Sequence, residues 1–247
     1  PVPAALERAW DAARAIAAPV LAHHLGGRVR VATSGGAPLP RAVAETLDAV
    51  GLPILGAYGQ TEHLAVAMHR PDTIDFASAG PPMPGTDVRI ADDGEILVRC
   101  GAMTFSGYLG RDDATAAAFT ADGAWLRTGD LGRLDARGRL HVTGRLKELI
   151  ALSTGRKVAP LPIEAALAGD DWIAQALVVG EGRRFAGALL VPRMTTVRAW
   201  AAAERVPGDD DALAAHPAVR ERLAAAVARV NAPLAPHERV QRFAVVA

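Results

Sequence analysis

The sequence predicts an α/β protein in which a small β-barrel or sandwich separates two mixed α/β stretches. Three observations predict it. A strand–helix–strand pattern occupies residues 28–57. Short alternating runs broken by Gly and Asp turns fill residues 79–142. Beyond Lys147, strand-like runs at 173–179, 185–191 and 240–246 return in company with a helical run at 217–230. Strands alternating with helices build layered sheets, whereas closely spaced strands with tight turns build barrels and sandwiches.

Taken in order, residues 3–24 form an alanine-rich helix opened by Pro3. Pro19 disturbs it, because an internal proline removes a donor and crowds the preceding turn. Residues 28–32 alternate as a strand, and Ser34-Gly35-Gly36-Ala37 stops it. Pro40 starts a helix to about Val50. Residues 53–57 are a short buried strand running into a loop at 58–62, and residues 64–68 are another strand. In the middle stretch, 88–90, 95–99 and 139–142 alternate, with turns at Asp92-Asp93-Gly94, Asp122-Gly123 and Ala136-Arg137-Gly138. Pro217 sits in the first turn of its helix, where a missing donor matters little. The boundary between domains is placed at residues 144–147.

Composition bounds the function. With 247 residues, half of them apolar and 22% charged, the chain has enough material for one large or two smaller globular cores. Formal net charge is zero, which provides no global field toward nucleic acid or anionic lipid. No apolar run is long enough to span a bilayer, and residues 1–5 lack the start of a signal peptide. A lone cysteine, Cys100, fits a cytoplasmic protein. Among 27 basic residues only Lys147 and Lys157 are lysine, and a compact ammonium does what a planar guanidinium cannot at a tight site.

Several short runs carry chemistry. The pair Gly35-Gly36 after a strand lets a flat ring approach the main chain, although a plain turn uses the same residues. In Tyr58-Gly59-Gln60-Thr61-Glu62 a tyrosine offers a face for a purine. The threonine hydroxyl can donate to a phosphate, and the glutamate can hold Mg²⁺; a polar loop with a half-buried tyrosine is the alternative. Asp130, in Trp125-Leu126-Arg127-Thr128-Gly129-Asp130, is read at a tight turn where a carboxylate can accept from ribose hydroxyls or simply cap the turn. Arg145 and Lys147 share a face on an extended segment, so only a local twist or pivot there separates the two cations. Glu95-Ile96-Leu97-Val98-Arg99 and Ser106-Gly107-Tyr108 are read as structural, and His63 receives no role.

These runs, in series with Gly144-Arg145-Leu146-Lys147-Glu148-Leu149 and Ser153-Thr154-Gly155-Arg156-Lys157, resemble the AMP-forming acyl-CoA synthetases. Their long-chain fatty acid branch is the most similar. The resemblance implies that Gly35, Gly36 and Ala37 line an adenine on which Tyr58 stacks, with Gly59 and Gln60 in the same nucleotide-binding run. Thr61 then contacts the α-phosphate, Glu62 binds Mg²⁺, and Asp130 and Arg145 hold the ribose. Lys147 becomes a hinge and Gly155 lies near the tunnel for coenzyme A. The implied enzyme uses ATP to convert a fatty acid to acyl-AMP and then to acyl-CoA. Loading of an acyl carrier protein and a non-catalytic nucleotide-binding or scaffold module are the alternatives.

By the same resemblance, residues 1–144 are the end of a large layered N-terminal domain, with 79–144 its β-barrel subdomain. Residues 145–147 are the hinge and 148–247 a compact mobile C-terminal domain. The family's phosphate loop and terminal catalytic lysine have no counterpart in this sequence, and its first helical stretch looks shortened between Trp10 and Leu25. Ala151 also departs from the hinge pattern. The chain is therefore expected to be the C-terminal half of such an enzyme and inactive by itself.

Overall fold

A computed structural model of the chain describes residues 4–37 and 39–246. Pro3, expected to open the first helix, and Pro38, next after Ser34-Gly35-Gly36-Ala37, lie outside the described residues. The chain divides into two compact units, Pro1–Val142 and Thr143–Ala247.

The first unit begins with helix α1 (Ala4–His24), strand β1 (Ala32–Ser34) and helix α2 (Arg41–Ala49). Pro19 does not divide α1, which runs on through it. The strand expected at 28–32 is displaced: pairing begins only where Ala32 meets Ile54, and Val29 and Val31 are exposed. Pro40 precedes α2 as its N-cap residue and Val50 follows it, as expected. Strand β2 (Ile54–Gln60) lies parallel to β1 and antiparallel to β3 (His63–Met68), giving sheet order β1-β2-β3. Tyr58, Gly59 and Gln60, expected in a loop, thus belong to a strand, and only Thr61 and Glu62 form the turn. A two-residue connection is the natural closure for an antiparallel pair, and it draws the flanking residues into the ladder.

Strands β4 (Val88–Ile90) and β5 (Glu95–Arg99) are followed by helix α3 (Asp112–Ala117), β6 (Trp125–Leu134) and β7 (Leu140–Arg145). They make a four-stranded sheet in order β4-β5-β6-β7, half a barrel rather than a closed one. Four successive residues of β5, from Glu95 through Val98, are buried, as expected of a strand covered on both faces. The apolar cluster Val66, Ala67, Ile96, Val98 and Leu140 joins β3 to this sheet, and Tyr58 packs against it. Residues 79–82 stitch the join. Ala79 and Gly80 exchange backbone hydrogen bonds with Leu140, while Pro81 accepts from Met68. The end of β2 is thereby held next to the half-barrel.

In the second unit a single 3-10 turn (Leu146–Glu148) leads to the short pair β8 (Ile150–Ala151) and β9 (Lys157–Val158). Then come α4 (Pro160–Ala168), β10 (Ile173–Val179), β11 (Ala186–Pro192), α5 (Met194–Glu204), α6 (Asp210–Ala214), α7 (Pro217–Asn231) and β12 (Val240–Val245). Strand β11 is central, antiparallel to β10 and parallel to β12. Its alternate residues 186, 188 and 190 are buried, and α7 supplies Val219, Leu223, Ala226 and Val227 from one face. Pro217 opens α7 in its first turn, with the His216 side chain accepting from the Ala218 N–H.

Candidate functional site

Strand β6 carries an irregularity that builds the site. Register runs from Leu97 opposite Arg127 to Glu95 opposite Leu131, so Thr128, Gly129 and Asp130 together face Ile96 alone. Two ties from β5 hold this bulge. The Thr128 hydroxyl donates to the Ile96 carbonyl at 2.7 Å, and the Gly129 N–H donates to Glu95 Oε1 at 2.8 Å. Gly129 adopts φ +71°, a conformation that a Cβ disfavours. Asp130, expected at a tight turn, therefore lies in a bulge within a strand, where bulges commonly re-aim side chains. It is 7% exposed.

The re-aimed carboxylate meets Tyr58: the phenol donates to Asp130 Oδ2 at 2.7 Å. Two residues singled out separately in the sequence, one for a base and one for a ribose, are thus hydrogen-bonded partners. Gly35 joins them from just beyond the end of β1. A Cβ there would come within 2.9 Å of the Ala57 carbonyl oxygen, just ahead of Tyr58. Gly35, Gly36 and Ala37 are all exposed, which leaves this edge of the main chain open.

At the β2–β3 turn Thr61 is exposed and Glu62 is half-buried. Glu62 Oε1 accepts from the Tyr108 hydroxyl at 2.5 Å, a bond that raises the Tyr108 pKa above its ordinary value. Glu62 Oε2 accepts no hydrogen bond from the described residues. A single carboxylate with one engaged and one open oxygen suits Mg²⁺, which takes one or two carboxylates and keeps phosphate and water oxygens for its other positions. The donor chemistry fits.

Arg145, Lys147 and Gly155 belong to the second unit. Arg145 is extended at the end of β7, whereas Lys147 lies in the 3-10 turn that starts at Leu146. The extended segment on which both cations would share a face is therefore interrupted between them. Gly155 occupies a turn, its N–H donating to the Leu152 carbonyl at 2.9 Å.

Sequence reasoning passed over Glu95 and Tyr108, both placed in structural runs. Glu95 is 2% exposed and also lies 2.7 Å from Arg127 Nη2. An acidic residue inside an apolar strand run was the available signal, since a buried carboxylate needs partners. A second polar cluster, Asp75, Asp135 and His141, brings potential ligand atoms within 4.8 Å of one another. Arg139 already bridges its carboxylates, at 2.6 Å and 2.8 Å, and His141 Nε2 is 3.1 Å from Asp135. The Arg139 backbone N–H, with these side chains, holds the Asp135 carboxyl well below its usual range. This is a closed ion-pair network.

The family described as AMP-binding enzyme matches residues 1–109, and its C-terminal domain matches residues 147–247. This chain belongs to the AMP-binding enzymes. The long-chain-fatty-acid–CoA ligase FadD15 of Mycobacterium tuberculosis is 39% identical over 228 residues, covering 90% of this chain and 37% of the relative. A Rhodococcus jostii ligase, 3-[(3aS,4S,7aS)-7a-methyl-1,5-dioxo-octahydro-1H-inden-4-yl]propanoyl:CoA ligase, is 44% identical over 162 residues, covering 62% of this chain and 30% of its own. Among solved structures, the O-succinylbenzoate coenzyme A synthetase MenE of Bacillus subtilis, in complex with ATP and magnesium ion, superposes with a TM-score of 0.67. It shares 27% identity and covers 88% of this chain and 42% of its own. The chain of this AMP-binding enzyme thus spans between 30% and 42% of the length of these relatives. Among the described residues no helix is long and apolar enough to cross a membrane.

Proposed function

We propose that this chain forms part of an ATP-dependent acid–thiol ligase that activates a fatty acid as acyl-AMP and transfers the acyl group to coenzyme A. The observation that supports this reading is the hydrogen bond between Tyr58 and Asp130, which joins the residue read for the base to the residue read for the ribose. Gly35, Gly36 and Ala37 leave the adjoining backbone open to the adenine, and the ring of Tyr58 offers it a face. Asp130 accepts from the ribose. Thr61 donates to the α-phosphate, and Glu62 is the ligand for Mg²⁺. Bound there with ATP, Mg²⁺ supplies charge compensation to the phosphate oxygens.

In this reading residues 1–144 complete a large layered adenylate-binding domain, of which 79–144 are the barrel part. Residues 148–247 are a small mobile domain turning on residues 145–147, with Lys147 as pivot and Gly155 beside the path of the thiol. The fatty acid assignment is supported by the FadD15 relative, and a cytoplasmic location by the single cysteine. The test is hydroxylamine trapping with the full-length protein that contains this chain, ATP, Mg²⁺ and a panel of fatty acids. Hydroxamate that depends on ATP and on the acid is expected. Its absence across the panel, with the protein folded, contradicts the reading.

A further inference from the structure

The segment from Thr104 to Tyr108 touches the Glu62 turn at every level. The Phe105 N–H donates to the Glu62 carbonyl at 2.8 Å, and Thr104 pairs with His63 both as a β-bridge and through a 3.0 Å side-chain contact. The Tyr108 hydroxyl then reaches Glu62 Oε1 at 2.5 Å. Backbone and side chain of one glutamate are thus held by residues 43 and 46 positions downstream.

What holds the holder is equally specific. The Tyr108 N–H donates to Thr115 Oγ1 at 2.9 Å, and that hydroxyl donates in turn to the Arg111 carbonyl at 2.9 Å, anchoring the segment to α3. Gly107 sits at φ +143°, and a Cβ there would fall 2.7 Å from Thr115 Cγ2, so the chain passes close over α3 only without a side chain. The Tyr108 ring packs edge-on against Phe105 at 4.9 Å, and Phe105 stacks on Phe119 at 5.7 Å. Tyr108 is 40% exposed, yet its ring and main chain are fixed.

A hydroxyl fixed in this way and donating to one oxygen of a carboxylate restricts rotation of that carboxylate and leaves its other oxygen for a metal. Residues that orient a metal ligand in this manner typically change metal affinity 10- to 100-fold. We propose that Tyr108 is a positioning residue for the Mg²⁺ ligand Glu62, and that the Ser106-Gly107-Tyr108 segment presents its hydroxyl. The inference rests on the reading of Glu62 given above and adds the residue that aims it.

The test measures metal binding directly. Mn²⁺, a paramagnetic stand-in for Mg²⁺, is titrated into the protein as encoded with ATP present, and bound metal is read by electron paramagnetic resonance. Tyr108→Phe keeps the ring against Phe105 and removes only the donor. It should weaken Mn²⁺ binding about tenfold, with the thermal midpoint and metal-free ATP binding unchanged. Glu62→Gln should weaken Mn²⁺ binding further, and adding Tyr108→Phe to it should have no additional effect. Unchanged Mn²⁺ affinity in Tyr108→Phe, with loss in Glu62→Gln, overturns the positioning role alone. Equal loss of folded stability and metal binding in Tyr108→Phe also overturns it, by making the residue merely structural. An unaltered protein that holds no Mn²⁺ with ATP, or a Glu62→Gln variant that holds it as well, overturns the metal reading and this inference together.

Discussion

Tyr58 and Asp130, 72 residues apart, share a 2.7 Å hydrogen bond between a strand of the β1-β2-β3 sheet and the bulge in β6. The bond connects the two sheets of the first unit. Hydrogen bonds to charged groups contribute more than neutral ones, so Tyr58→Phe should lower the unfolding free energy by about 1.5–3 kcal/mol. A double-mutant cycle with Asp130→Ala, followed by urea unfolding, checks it: the two losses should be non-additive. Strict additivity would mean that the pair is not energetically coupled.

Glu95 secures the same bulge from below through the Gly129 N–H and Arg127. Glu95→Ala leaves the N–H without its acceptor and the guanidinium without its carboxylate, a loss of about 2 kcal/mol in chemical denaturation given that Arg127 is partly exposed. Glu95→Gln retains an acceptor oxygen for Gly129 and should lose less. Equal stability of both variants and the unaltered chain would show that the bulge holds itself.

His69 makes stability depend on pH. It is 3% exposed, and Nδ1 accepts from the Gly56 N–H at 3.0 Å, so its proton is on Nε2, 3.3 Å from Ser78 Oγ. Burial pushes its pKa below the ordinary 6.5, Arg139 adds to the shift and Asp75 opposes it; burial also lowers His63. The unfolded chain therefore takes up these protons first as pH falls. The stabilisation is complete above about pH 6.5 and is lost as pH drops through the lowered folded values. Urea midpoints should fall between about pH 7.5 and about pH 5. His69→Gln, which keeps an acceptor for Gly56, should flatten that slope, and an unchanged slope would remove His69 as its source.

For Lys147, the hinge reading predicts a separation of half-reactions. Lys147→Pro fixes φ and removes an N–H in the turn after Arg145. In the full-length enzyme, pyrophosphate exchange and thioester formation, measured separately, should be affected unequally, because a pivot serves the change between two arrangements. Equal loss of both would assign Lys147 a direct or folding role instead.

Much of the fold was legible where periodicity was strong. The alternation of 185–191 marked the central strand β11, and Pro40 and Pro217 marked helix starts. Helices α3 to α6 escaped: α3 and α6 have only six and five residues, and α4 and α5, nine and eleven residues long, show little contrast between polar and apolar faces. The chemistry of 58–62 read as a loop because glycine and polar residues resemble turn composition, although cross-strand pairing drew residues 58–60 into β2. Residue types pointed to Tyr58, Glu62 and Asp130 individually. That Tyr58 bonds Asp130 and Tyr108 bonds Glu62 depends on strand register and a bulge, which no local pattern encodes.

The central claim, a nucleotide surface built on Tyr58 and Asp130, is tested most directly by calorimetric titration of AMP into the 247-residue chain. The unaltered chain should bind AMP weakly. Tyr58→Ala removes the stacking face and Asp130→Ala the ribose acceptor, and each should abolish measurable binding. Asp130→Asn, which keeps an oxygen for Tyr58, controls for folding, with the thermal midpoint read alongside. AMP bound equally well by the chain and by both alanine variants, all folded, would contradict the account.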